Sequence, residues 1–158
     1  MGNLLILNGS PRAPRSNSRR YAQIFSSCYG ENTEYFDISK RNHPELCAKL
    51  AGTSHVLFVF PLYADGLPVT LLNFLKSLEA APPQNKPAVS VLINCGFLEP
   101  QQNEMAVEMM RLFCRQNHYP FGSVLKIGSG EAILDSPFRF LAVRKIRRFA
   151  DSIAKGSY

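Results

Sequence analysis

The sequence is poor in long apolar runs. No stretch approaches the roughly 18–20 apolar residues that span a bilayer. The first run, Leu4-Leu5-Ile6-Leu7, has no basic segment ahead of it, so neither a membrane span nor a secretory leader is expected. Clustered cysteines are missing as well. Cys28, Cys47, Cys95 and Cys114 stand far apart with no CxxC pair, which argues against a zinc site, an iron–sulfur cluster or a thioredoxin-type dithiol. Free, reduced thiols, no metal and a cytoplasmic location are the expectations. No Gly-Lys-Ser/Thr closes a Walker A loop, and no GxGxxG marks a dinucleotide fingerprint. RNA-recognition strands, metal-finger spacings, basic-zipper heptads, internal repeats and low-complexity segments are also absent. Neither a nucleic-acid nor a membrane partner is expected.

What is present suits one soluble globular domain over residues 1–158, with 46% apolar and 19% charged residues. The net charge of +6 draws attention to Arg139, Arg144, Lys145, Arg147 and Arg148. They read as the solvated face of a last helix, near a C-terminus where cations suit the dipole. A basic surface would also steer anionic dinucleotides towards the protein.

Apolar runs and helical periodicities alternate along the chain. Leu4–Leu7 is a first strand; a helix over Asn17–Cys28 follows, capped by Ser16 or Asn17, with Tyr21, Ile24, Phe25 and Cys28 on one face. Thr33–Ile38 is a second strand, and His43-Pro44-Glu45 opens a short helix closed by Gly52. Val56–Phe60 reads as a strand buried on both faces. Pro68-Val69-Thr70 starts a helix that turns Leu71, Leu72, Phe74, Leu75 and Leu78 inwards. Ala88–Ile93 is the fourth strand, and a long helix from about Pro100 to Asn117 draws its apolar content from Met105, Val107, Met109, Met110, Leu112 and Phe113. Val124–Ile127 is the fifth strand, and the last helix spans about Phe140 to Ala154. Such alternation implies an α/β, doubly wound, five-stranded parallel sheet of order 2-1-3-4-5 with helices on both faces. In that arrangement ligands sit beyond the carboxyl ends of the strands, at the switch point between strands 1 and 3.

The loops at those strand ends carry unusual residues. After strand 1, Gly9-Ser10-Pro11-Arg12 runs to Ser16-Asn17-Ser18 and offers hydroxyls, an amide, a guanidinium and the N–H groups of a helix start. That set suits a phosphate monoester; an ordinary capped turn is the bland alternative. After strand 3, prolines at both ends stiffen Pro61-Leu62-Tyr63-Ala64-Asp65-Gly66-Leu67-Pro68, which could hold a flat ligand against Tyr63 or simply pack that ring on its neighbours.

Gly-Ser-x-Arg leading to Ser-Asn-Ser after the first strand, with Pro-x-Tyr-x-x-x-x-Pro after the third, resembles the NAD(P)H-dependent FMN reductases of the flavodoxin-like superfamily. Asn94-Cys95-Gly96-Phe97 and Gly128-Ser129-Gly130-Glu131-Ala132-Ile133 resemble small flavodoxin-family oxidoreductases within it. The resemblance runs from Leu4 to about Ile133.

The resemblance implies that Ser10, Arg12, Ser16, Asn17 and Ser18 hold the phosphate of FMN. Pro61, Leu62, Tyr63 and Ala64 would lie along the isoalloxazine and ribityl, with backbone N–H groups reaching the polar edge of the ring. Asn94, Cys95, Gly96 and Phe97 would close its other side. It further implies NAD(P)H as co-substrate, a small-molecule acceptor such as a quinone or free flavin, and a homodimer or homotetramer. Hydride transfer needs stacked rings rather than an acid–base side chain, so no catalytic residue is assigned.

His43, His55 and His118 read as surface or cap residues, Cys95 as a packed thiol, and Asp65 and Asp135 as turn caps. Two other classes compete: a flavodoxin-type electron carrier, against which the basic charge and Ser10-Pro11-Arg12 weigh, and a nucleotide- or nucleic-acid-binding domain without redox chemistry.

Overall fold

A computed structural model describes residues 3–12, 15–62, 66–96, 103–129 and 132–158. Five strands, β1 (Leu4–Asn8), β2 (Thr33–Asp37), β3 (His55–Pro61), β4 (Ala88–Asn94) and β5 (Phe121–Ile127), alternate with helices. The helices are α1 (Asn17–Tyr29), α2 (His43–Ala51), α3 (Val69–Ala80), α4 (Glu104–Gln116) and α5 (Arg139–Lys155). The strands form one parallel sheet of order β2-β1-β3-β4-β5, the expected doubly wound order.

Successive strand residues point to opposite faces, and the two cores divide accordingly. Leu5, Leu7, Val56, Phe58, Phe60, Val91 and Ile93 pack with Leu71, Phe74 and Met110 of α3 and α4. Leu4, Ile6, Leu57, Val59 and Leu92 pack with Tyr21, Phe25, Ile146 and Phe149 of α1 and α5. Because both faces are covered, the central strands read as continuous apolar runs instead of alternating ones. Truncating a fully buried ring such as Phe58 would cost about 3–5 kcal/mol.

Element boundaries mostly agree with the sequence reading, and the departures have physical causes. β5 begins at Phe121, not Val124, because Phe121 pairs with Val89 across a register irregularity, and the buried Ser90 hydroxyl accepts the Ser123 N–H at 3.0 Å. α4 begins at Glu104; the expected start at residues 100–102 lies outside the described residues. Ala106, Val107, Met110, Phe113 and Cys114 make the inward stripe of α4, which leaves Met105 and Leu112 facing solvent. His55, expected at the surface, is buried because β3 starts between β1 and β4. No helix among the described residues is long and apolar enough to cross a membrane.

Candidate functional site

The site is assembled where β1 ends. Asn8, fully buried, is the hub. Its amide oxygen accepts the Ser10 N–H at 2.9 Å, turning the chain sharply after the strand. Its amide nitrogen is shared among the Ser16 hydroxyl at 3.1 Å, the Tyr35 hydroxyl at 2.9 Å and Asp37 Oδ1 at 3.2 Å. The Tyr35 hydroxyl in turn donates to Asp37 Oδ1. Asn8 and Asp37 are direct register partners in neighbouring parallel strands, so the sheet itself brings them together. Burial, and then the hydrogen bond to Asp37, push the Tyr35 phenol well above its ordinary range, so it remains a proton donor.

Across the loop, Ser16 caps α1 by accepting the Arg19 N–H at 3.2 Å. Ser18 accepts from the Asn94 amide at 3.2 Å, which ties the start of α1 to the end of β4. The Ser10 hydroxyl accepts the Arg12 N–H at 3.2 Å. A hydroxyl has one proton and two lone pairs. Ser10, Ser16 and Ser18 are all buried and all accept within the protein, and none of their O–H groups has an acceptor among the described residues, so each can donate to a group in the cleft.

That cleft holds about 160 Å³. The three serines and Asn17 form its floor, Pro61, Leu62 and Asn94 one wall, and Arg12 and Arg15 an exposed cationic rim. The first-turn N–H groups of a helix emerge at its N-terminal end, where the dipole favours an anion. Hydroxyl donors, a helix start and two guanidinium groups therefore converge on one small space whose chemistry suits a phosphate dianion. The other cations at this end of α1 have carboxylate partners. Arg19 lies 3.6 Å from Asp37, and Arg20 makes a two-pronged bond to Asp135 at 2.7 and 3.1 Å while also donating to Asn17 at 3.2 Å. Asp135 is thus an ion-pair partner rather than the turn cap expected, and the Arg20 guanidinium holds its carboxyl below the usual range.

Eight of the thirteen residues expected at the site line this cleft: Ser10, Arg12, Ser16, Asn17, Ser18, Pro61, Leu62 and Asn94. Tyr63, Ala64 and Phe97 lie outside the described residues, as does Asp65. Cys95 follows the end of β4 with its N–H on the Ile127 carbonyl and its thiol buried, and neither it nor Gly96 lines the cleft. One expected donor is already spent. The Leu62 N–H donates to the Asn94 carbonyl at 2.7 Å, and Pro61 has none, so N–H groups for a flat ring would have to come from beyond Leu62. Sequence reading passed over Asn8, Arg15, Tyr35 and Asp37. An asparagine at a strand's end before Gly-Ser was a signal for the first; the other two strand residues needed the β1–β2 register.

No family model and no curated protein matches the chain at the level of sequence. Solved structures do match in shape. An NAD(P)H:quinone oxidoreductase from Methanothermobacter marburgensis superposes with a TM-score of 0.75 at 16% identity, over 96% of this chain and 96% of that one. An FMN-dependent NADH-azoreductase from Bacillus anthracis, in complex with FMN, gives 0.73 at 14% identity, over 98% and 100% of the two chains. A flavodoxin from Streptococcus pneumoniae gives 0.70 at 14% identity, over 97% and 98%. With the strand order, these likenesses identify the fold of the chain as flavodoxin-like.

Proposed function

We propose that the chain is an FMN-dependent NAD(P)H oxidoreductase of the flavodoxin-like superfamily, passing a hydride from the nicotinamide through FMN to a quinone, a free flavin or a similar two-electron acceptor. The observation that carries this reading is the donor set at the end of β1. Three buried hydroxyls with protons to give, a helix start and a two-arginine rim meet at the switch point between β1 and β3. The quinone reductase and azoreductase among the structural neighbours support it.

FMN, when bound, supplies the two-electron chemistry. The chain's own part is to bind and orient. Ser10, Ser16 and Ser18 would donate to the phosphate, Arg12 and Arg15 would neutralise it, and Asn17 would border it. Pro61, Leu62 and Asn94 would border the chain leading to the ring. Tyr63, Ala64, Cys95, Gly96 and Phe97 remain proposed neighbours of the ring by resemblance, with no residue assigned an acid–base role. A homodimer or homotetramer and a cytoplasmic location belong to the same proposal.

The visible absorbance of the purified protein, with and without added FMN, tests the first step. A protein that shows no flavin spectrum and that FMN cannot load would overturn the proposal. Steady oxidation of NADH or NADPH on adding a quinone tests the second. A flavodoxin-type carrier, the reading that the Streptococcus neighbour favours, would hold flavin yet show no such turnover. Sedimentation velocity at micromolar concentration reads the oligomeric state, and a monomer would remove that part of the proposal.

A further inference from the structure

We propose that the outer face of α5 is a docking surface for an anionic phospholipid bilayer. Phe138, Phe140 and Leu141 are exposed at 60%, 55% and 38% and stand outside the second core, in which Ile146, Phe149 and Ile153 of the same helix are buried. They stand at the N-terminal end of α5. Its inward stripe is Ala142, Ile146, Phe149, Ala150 and Ile153. At 100° per residue the opposite face carries Phe140, Leu141, Arg144, Arg147, Arg148, Asp151 and Lys155, with Lys145 at its border.

The charge of this face is predominantly positive: its one acid, Asp151, lies a turn beyond Arg148, away from the apolar tip, and Lys155 follows it on the same side. From Ser136 to Ala150 the chain has five cations and no carboxylate, and the nearest preceding acid, Asp135, is already held by Arg20. A protruding apolar tip inside a field of cations is the pattern that inserts shallowly among lipid headgroups while pairing with anionic ones. A second copy of the chain docked symmetrically on this face would set cation against cation. A nucleic acid would use the aromatic faces for stacking, but the Arg144 guanidinium covers one face of the Phe140 ring, 6.0 Å from its centre, and Leu141 offers no such face, which leaves Phe138 as a single ring rather than a stacking platform. The expectation of no membrane partner rested on the lack of a spanning run, and a peripheral contact needs none.

The location adds a consequence. α5 begins at the carboxyl edge of the sheet, the edge that also bears the cleft, and the Arg20–Asp135 bond links the start of α1 to the turn before α5. Docking by this tip sets the cleft's edge of the sheet beside the lipid surface.

Cosedimentation of the whole protein with vesicles tests the proposal, using phosphatidylcholine alone and phosphatidylcholine mixed with phosphatidylglycerol. Binding only to the mixed vesicles, weakened by salt, is expected. Replacing Arg144 and Arg147 by glutamine should weaken it about fivefold per residue removed. The exposed pair Phe138→Ser and Phe140→Ser should weaken it about tenfold or more, with the urea midpoint unchanged to show that folding is intact. The chain has no tryptophan, so Phe140→Trp gives a single reporter, whose emission wavelength should shift to the blue with mixed vesicles. The proposal is overturned by failure to bind mixed vesicles at low salt, or by binding that ignores the phenylalanine changes. Tighter binding to RNA or polyglutamate than to mixed vesicles would overturn it as well.

Discussion

At the carboxyl edge of the sheet the buried polar side chains keep protons to give, whereas at the amino edge they close on one another. Around Asn8 the hydroxyls of Ser10, Ser16 and Ser18 accept inside the protein and are left to donate outwards. Around His55 the bonds are internal: its Nε2 meets the Ser90 hydroxyl at 2.8 Å, its Nδ1 faces the Tyr158 hydroxyl at 3.4 Å, and Ser90 also takes the Ser123 N–H. Little space is spare there, since a Cβ on Gly122 would lie 2.7 Å from the Ser90 hydroxyl. Similar residue types are buried at both ends. The difference in leftover hydrogen-bonding capacity is what separates a candidate binding site from a structural plug.

The largest effect is expected from removing the carboxyl-edge hub. Asn8→Ala strands the Ser10 N–H and uncouples β1 from Tyr35, Asp37 and Ser16, so urea unfolding should show a loss of about 3 kcal/mol. A loss under 1 kcal/mol would mean that the loop holds its shape without Asn8.

The amino edge should answer to acid instead. Burial lowers the His55 pKa to about 4, below the ordinary value of 6.5. The unfolded chain therefore binds this proton first as pH falls. The stabilisation is complete above about pH 6.5 and drains away between there and about pH 4. Between pH 7.5 and pH 5 the cost is about 2 kcal/mol. His55→Gln should flatten that part of the pH–stability curve, and an unchanged slope would show that other groups set it.

Arg12→Gln takes a rim charge and leaves the folded framework alone. The expected result is roughly tenfold weaker FMN binding in a fluorescence titration, with an unchanged urea midpoint. Ser16→Ala sharpens the contrast by touching both properties at once. Losing the cap should cost about 1 kcal/mol of stability, and FMN binding should weaken with it. If Ser16→Ala and Arg12→Gln both kept full affinity for FMN, the cleft would be only a capped turn.

The features legible in the sequence were the local ones. The Leu4–Leu7 and Val56–Phe60 runs, the Ser16 cap and the Pro-bounded segment after β3 are visible one element at a time, and strict alternation then leaves few topologies. Ser10, Ser16 and Ser18 could be marked as donors because they cluster in one loop. Asn8 with Asp37, and His55 with Ser90, could not be paired that way. Those contacts depend on which strands are neighbours and in what register, and a slip of one residue would send each side chain to the other face. The exposure of Phe138, Phe140 and Leu141 was hidden for the opposite reason: composition marks them as core, and only the packed helix shows which way they face.

Gly9 carries a last consequence. Its N–H is held by the Val59 carbonyl at 2.9 Å, and a Cβ there would come within 3.1 Å of the Leu71 Cβ. The chain leaving β1 is thus pressed against α3 on one side and pinned by Asn8 on the other. In kinetic terms, a phosphate bound as proposed would meet Ser10 already in position and wait for no rearrangement there. Association at this end should then follow a single exponential whose rate rises in proportion to ligand concentration and falls with added salt, the signature of an encounter limited by diffusion and charge.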